Sequence, residues 1–173
     1  MFSGEVYTSW KAIQEEKYGE IFAVIGDKFL GIFANKLALD IGSGEGYFED
    51  FLTKGGLKHN IVGLDVDKDA VKKCGFPCVI GDGNIMPFKD SSFDIIVSVD
   101  TMHLIERMDF HRVLKEGGLV VFSSFFSRDN CEERKKMIRN KLDGFQVLME
   151  FEVRKQENEY VILARKTTSS PEA

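Results

Sequence analysis

The sequence predicts an α/β fold: an open, doubly wound, mostly parallel sheet of seven strands, with a helical segment before it and an antiparallel hairpin at its end. Three observations carry this. Short apolar runs alternate with segments of helical period through the middle of the chain. The first run, Leu37–Ile41, enters a turn with Gly42, Gly44 and Gly46, after which apolar residues recur at Phe48, Phe51 and Leu52, one face of a helix. The last two runs are joined by a few polar residues, too few for a crossover, so they must pair antiparallel.

The elements follow in order. Tyr18, Ile21, Phe22, Ile25, Phe29, Ile32 and Phe33 recur every three or four residues, which predicts a helix over 18–33 with one buried stripe. Gly26 and Gly31 weaken it. Strands are predicted at 37–41, 61–64, 78–80, 93–99 and 119–124; several are continuous apolar runs, as parallel strands covered on both faces should be. Helices are predicted at 47–54, 68–74, 102–107 with 110–115, and 131–142. The hairpin strands are 145–153 and 159–165, and residues 167–173 read as a flexible tail. The domain reading is a helical cap over 1–35 and one ligand-binding domain over 36–166.

Composition bounds the function. The chain has 173 residues, 43% hydrophobic and 29% charged, the profile of one globular domain. A net charge of −5 gives no general attraction to nucleic acid or anionic membrane. No apolar stretch is long enough to span a bilayer, and MFSGEVYTSW lacks the pattern of a secretion signal. Three cysteines, an odd count, argue against a disulfide scaffold, so the chain reads as cytoplasmic with reduced thiols. Cys74 and Cys78 are too poorly supported by further ligands for zinc, and no metal is expected.

In an open parallel sheet ligands bind beyond the carboxyl ends of the strands. The first strand ends in Asp40 and the glycine turn. A pyrophosphate would be repelled by that acid, whereas a sulfonium cofactor with a free amino group would not. The second strand ends in Asp65-Val66, about twenty residues past the glycines, where an acid can take both ribose hydroxyls; Asp67 suits the cap of the next helix. The third ends in Gly81-Asp82-Gly83-Asn84, either a surface turn or a site where Asp82 accepts from an adenine amino group and the Gly83 or Asn84 amide meets the ring. The fourth ends at Val99-Asp100, with carbonyls near the cofactor's amino-acid end. His103 follows, either a structural residue or the group that deprotonates or orients an acceptor.

Together these residues resemble the S-adenosylmethionine-dependent methyltransferases with the Rossmann-like fold, and within them the small-molecule group that includes the ubiquinone and menaquinone biosynthesis enzymes. LDIGSGEGYF, GLDVD, GDGNIMPFKDSSFDIIVSVDTMHLI and RVLKEGGLVVFS carry the resemblance, over residues 36 to 125. It implies S-adenosylmethionine as cofactor, bound by Asp40, Gly42, Gly44, Asp65, Asp82 and the Val99 region. Tyr7 and Trp10 either cover it or simply pack. The implied reaction is in-line methyl displacement onto an unidentified acceptor, a small molecule first and RNA or protein next. The Asn-Pro-Pro-Tyr motif of many amino-group methyltransferases is absent after the fourth strand. The segment 100–112 is short, so its helix should be truncated.

Other readings concern partners. The basic run Arg134 to Lys141 is either a solvated helix or a small RNA-facing surface, although no aromatic residues interleave with it. A short chain encloses little substrate, which leaves room for a partner subunit, a homodimer or a noncatalytic cofactor-binding protein, and the edge strand at 78–80 can pair with another chain. A nicotinamide dehydrogenase is disfavoured by Asp40 and the Asp82 turn.

Overall fold

The computed structural model describes residues 4–26, 29 and 31–168, with the side chains of 4–9 excepted. Its elements are α1 (Gly4–Ile25), a 3-10 turn (Gly31–Ala34), β1 (Leu37–Ile41), α2 (Tyr47–Lys54), β2 (Asn60–Asp65), α3 (Lys68–Lys73), β3 (Cys78–Ile80), β4 (Phe93–Ser98), a 3-10 turn (Met102–Leu104), α4 (Phe110–Val113), β5 (Leu114–Phe126), α5 (Cys131–Asn140), β6 (Phe145–Arg154) and β7 (Asn158–Lys166). The seven strands form one sheet in the order β3-β2-β1-β4-β5-β7-β6. β1 to β5 pair in parallel, and β7 runs antiparallel to both β5 and β6. The chain winds from β1 outward to β3, then returns to place β4 on the other side of β1. That reversal opens a crevice at the carboxyl ends of β1, β2 and β4.

Two apolar layers cover the sheet, and strand alternation assigns residues to them. Leu39, Ile41, Leu64, Ile96, Val120 and Phe122 face a layer closed by Met102, Ile105, Phe110 and Ile138. Ala38, Ile61, Ile95, Val97 and Val121 face the other, closed by Tyr18, Ile21, Phe22, Phe33, Phe48 and Leu52. Aromatic contacts knit the second layer: Phe48 has its ring centroid 5.3 Å from Tyr18, 5.3 Å from Phe22 and 5.8 Å from Phe33. Each such fully buried side chain contributes about 1.5–3 kcal/mol.

The first helix departs from expectation. It covers 4–25 rather than 18–33, ending where Gly26 turns with φ +92°, and the apolar pattern resumes in the 3-10 turn. The connection after β4 is truncated as expected, to a 3-10 turn and the single turn of α4. β5 begins at Leu114: Leu114 pairs with Phe93 and Leu119 with Ile95, so residues 115–118 bulge out against Asp94.

The thiol expectation is corrected. Cys74 and Cys78 are joined in a disulfide, while Cys131 is free. The odd count meant only that one cysteine would be left over. Gly75-Phe76-Pro77 turns the end of α3 back into β3, which brings Cys74 and Cys78 face to face.

Candidate active site

A cavity of about 350 Å³ lies in the crevice, lined by residues of four strand ends: Ile41 and Gly42; Leu64, Asp65 and Val66; Gly81 to Asn84; and Thr101, Leu104 and Ile105. Backbone shape makes it. Gly42 has φ +80°, and a Cβ there would stand 2.0 Å from Thr101 Oγ1. At Gly83 a Cβ would stand 2.5 Å from Ile105 Cδ1. Gly42 needs glycine, for its positive φ and for the Thr101 Cβ only 2.6 Å away, whereas at Gly83 the Ile105 side chain would have to shift.

Asp65 organises the turn as well as facing the cavity. Its Oδ2 accepts from Gly44 N–H at 2.8 Å and its Oδ1 from Asp67 N–H at 2.8 Å. Each carboxylate oxygen retains a further lone pair for a ligand. Asp67 caps α3 as expected, accepting from Asp69 and Ala70 N–H. Asp82 Oδ1 accepts from Asn84 N–H at 2.8 Å and from its side-chain amide at 2.9 Å. These bonds hold the exposed Asp82 carboxyl below its ordinary range. Asn84, for whose side chain the sequence suggested no role, pins the opposite wall: its Oδ1 accepts from Glu106 N–H at 2.7 Å and Arg107 N–H at 2.9 Å.

Asp40 lies elsewhere. In the alternation of β1 it shares the face of Ala38, beneath α1, and it does not line the cavity. There it is only 5% exposed. Burial and the nearby Asp65 push its carboxyl up to about 7. Glu49, in the first turn of α2, is buried with no hydrogen-bond partner on either oxygen among the described residues. Burial and the charge of Asp40 push it well up too. Tyr18 of α1 feels four acids, Asp40, Glu49, Asp100 and Glu159. Val99, expected near the cofactor, likewise packs in the layer beneath α1 and does not line the cavity; Thr101 stands on the cavity wall instead.

One buried cation answers these acids. Lys17 Nζ binds Asp100, and stands 2.8 Å from both Glu157 Oε2 and Glu159 Oε1. The three acids that lie close enough to share a metal ion are thus gathered on an ammonium. Asp100 has φ +60°, and its other oxygen accepts from Phe125 N–H at 2.7 Å. Burial still dominates at Glu159, which is pushed up to about 8.

His103 is exposed in the 3-10 turn, beside the cavity wall rather than on it. Burial of its ring and the neighbouring charge of Arg134 lower its pKa, against a smaller pull from Asp100. Trp10 is 44% exposed, its ring centroid 5.9 Å from Lys17 Nζ; the side chain of Tyr7 lies outside the described residues. The basic helix is neutralised in part within the fold: Lys135 pairs with Glu132 and Glu152, and Arg139 with Glu150.

The residues fit a ligand of mixed character. The cavity has acids and exposed amides suited to a ribose and a base. The buried layer beneath α1 holds the acids Asp40 and Glu49, and both Glu49 oxygens lack a hydrogen-bond partner among the described residues.

Residues 39–122 match the methyltransferase domain family. A fatty-acid O-methyltransferase of Mycolicibacterium smegmatis is 29% identical over 110 residues, which cover 57% of this chain and 40% of that protein. The chain spans about two fifths of the length of such curated relatives. A SAM-dependent methyltransferase from Aquifex aeolicus superposes with a TM-score of 0.63 at 18% identity, covering 81% of this chain and 87% of that one. A methyltransferase of Haloferax volcanii, solved in complex with the Trm112 methyltransferase activator, gives a TM-score of 0.66 at 14% identity, covering 96% and 98%.

Proposed function

We propose that this chain, whose residues 39–122 match the methyltransferase domain family on a Rossmann-like fold, is an S-adenosylmethionine-dependent methyltransferase acting on an oxygen of a small molecule. The observation that carries the reading is the crevice itself, in which Gly42, Asp65 and Asp82 converge on one cavity while Asp40 and Glu49 wait beside it. When bound, S-adenosylmethionine supplies an electrophilic methyl group on a sulfonium.

The chain's own residues then divide the work. Asp65 accepts from the ribose hydroxyls, and the Val66 side chain covers the base. Asp82 and the Gly83 amide read the edge of the adenine. Gly42 and Gly44 let the backbone approach the amino-acid end, and Asp40 with Glu49 receives its ammonium. Residues 1–35 serve as a cap over the domain at 36–166. Holding two reactants in attack geometry supplies roughly 7–11 kcal/mol of the barrier reduction. His103 orients the acceptor. The oxygen acceptor follows the M. smegmatis relative, whose name states transfer to a fatty acid.

A second element of the reading is a partner subunit. The H. volcanii neighbour is solved with an activator. Here β3 is a three-residue edge strand with Ile80 56% exposed. A strand added to that edge would continue the sheet. Among the described residues no helix is long and apolar enough to cross a membrane, and a cytoplasmic location belongs to this proposal, open to test by cell fractionation.

The test is calorimetric titration with S-adenosylmethionine, followed by labelled methyl transfer to metabolite, RNA and protein fractions. Saturable cofactor binding with label in the small-molecule fraction is expected. No cofactor binding, with or without added cell extract, would refute the reading.

A further inference from the structure

We propose that Cys74 and Cys78 form a reversible redox latch on the glycine turn at 42–46, opened by a dithiol reductant and closed again by a disulfide oxidant. The ligand that the turn holds rests on the methyltransferase reading above; the latch itself does not.

The pair closes a short ring, CGFPC, between the end of α3 and the start of β3. Three contacts tie that ring to the turn. The Phe76 ring fills the space that a side chain at Gly46 would take: a Cβ there would stand 2.3 Å from Phe76 Cε1 and 3.2 Å from Cys74 Sγ. Gly46 has φ +88° and caps α2, so Phe76 covers the turn where it enters that helix. Lys73, next to Cys74, stands 2.6 Å from Glu45, the residue between Gly44 and Gly46. Cys78 and Ser43 meet at Gly63, where a Cβ would stand 2.8 Å from Cys78 Sγ and 2.5 Å from Ser43 Oγ. Ser43 is a buried member of the turn. One sulfur therefore borders the turn at Gly46, and the other adjoins it across Gly63.

β3 hangs from the same ring. The Pro77 carbonyl accepts from Gly63 N–H at 2.9 Å, and Cys78, Val79 and Ile80 lie opposite Gly63, Leu64 and Asp65. Asp65 in turn accepts from Gly44 N–H. Ring, strand end and glycine turn make one closed circuit. Phe76 is the ring's inward anchor, half-buried against the layer beneath α1, while Gly75 and Pro77 are exposed. With the bridge closed, Gly75 has little freedom and Phe76 stays over Gly46. With it open, Gly75 rotates freely and Phe76 is released.

The chemistry is thiol–disulfide exchange. Both cysteines are half-buried between exposed neighbours, within reach of an attacking thiolate. A thiolate of the reductant bonds to one sulfur as the bridge breaks, and its second thiol resolves the mixed disulfide. Two electrons pass to the cysteine pair, the reductant leaves as a disulfide, and its two protons end on Cys74 and Cys78. Closure by a disulfide oxidant is the reverse.

The whole chain is compared after treatment with oxidised glutathione and after dithiothreitol. Maleimide labelling in denaturant should count only Cys131 in the oxidised protein and all three cysteines in the reduced one. Hydrogen exchange over residues 42–52 should quicken roughly tenfold on reduction and slow again on reoxidation, a readout that needs no cofactor. The dissociation constant for S-adenosylhomocysteine should rise roughly fivefold on reduction, as expected of a binding turn that is less preorganised. Phe76→Ala, oxidised, should resemble the reduced parent in both measurements, and Phe76→Leu should recover part. A variant with Cys74→Ser and Cys78→Ser should ignore dithiothreitol, which separates the pair from Cys131. Three free thiols after oxidised glutathione, exchange at 42–52 that ignores redox state, equal S-adenosylhomocysteine affinity in both forms, or a response that survives in the double serine variant would overturn the proposal. Titration of the oxidised parent with S-adenosylmethionine reads the methyltransferase premise separately: no binding there, with exchange still switching, would fail that premise and keep the latch.

Discussion

At the scale of single residues, two positions show how much the crevice demands. Gly42 combines φ +80° with a missing Cβ whose place is filled by Thr101. Gly42→Ala adds backbone strain of about 1–3 kcal/mol and overpacking of about 1–3 kcal/mol, so a loss of about 2–6 kcal/mol is expected in urea unfolding. In a Thr101→Gly background the clash goes and the strain stays, so part of the loss should return; an unchanged loss would show that the clash is not real. Asp40 gives a pH signature. Its folded carboxyl is held at about 7, above its ordinary value of 3.8. The folded state therefore keeps a proton that the unfolded chain has released, and the free protein loses stability as pH rises from the ordinary carboxylate range through about 7. Asp40→Asn should melt roughly 2–8 °C above the parent at pH 8, the effect of about 1–2 kcal/mol in a domain this size, with the gap narrowing toward pH 5. Equal gaps at both pH values would remove Asp40 as the source. Asp65 and Asp82 were legible because they stand at strand ends. The orientation of Asp40 was written in the alternation Ala38–Asp40, but reading it required knowing which face α1 covers.

Elements join these residues into a working edge. The apolar stripe of α1 continues toward its N-terminus as Gln14 and Lys17, both 5% exposed, so one helix packs greasy at one end and ionic at the other. Sequence periodicity found the apolar end, because Tyr18, Ile21 and Phe22 repeat at helical spacing. It missed the ionic end, because a buried lysine is indistinguishable from a solvated one until Asp100, Glu157 and Glu159 arrive from β4, the hairpin turn and β7. Those acids are more than eighty residues away in the chain, and no local pattern announces them. Lys17→Met leaves three carboxylates facing one another without a cation. Breaking a buried pair from one side costs about 3–5 kcal/mol, and the loss should grow between pH 6 and pH 9. Glu159 is held at about 8 with Lys17 beside it, and Lys17 lowers it, so in Lys17→Met it keeps a proton above that value that the parent has released, and the loss grows chiefly from about pH 8 upward. Lys17→Arg should retain most of the stability. Denaturation midpoints across that pH range for both variants check the pairing, and a pH-independent loss in Lys17→Met would contradict it.

For the molecule as a whole, the sheet separates an open cavity on the Ile41 face from a packed layer beneath α1 that buries Asp40 and Glu49. The order of elements along the chain, the glycine turn and the terminal hairpin were readable, because each is dictated by local pattern and connection length. The division between an open and a packed face was not, because it arises from α1 closing over one face of the sheet. A ligand in the cavity should clamp the ends of β1, β2, β3 and β4 together and stabilise the fold as a unit. At one hundred times its dissociation constant, S-adenosylmethionine contributes about 2.7 kcal/mol, which is a rise of roughly 5–11 °C in melting temperature for a domain this size. Asp65→Asn isolates the ligand's share. Asparagine keeps one acceptor for the Gly44 or Asp67 amide, so the free variant should melt only a few degrees lower. It loses the charge that strengthens bonds to the ribose hydroxyls, so the cofactor-induced rise at the same concentration should fall to less than half. A full-sized rise in Asp65→Asn would mean that the ligand does not engage the end of β2, and the cavity would then have to be reassigned.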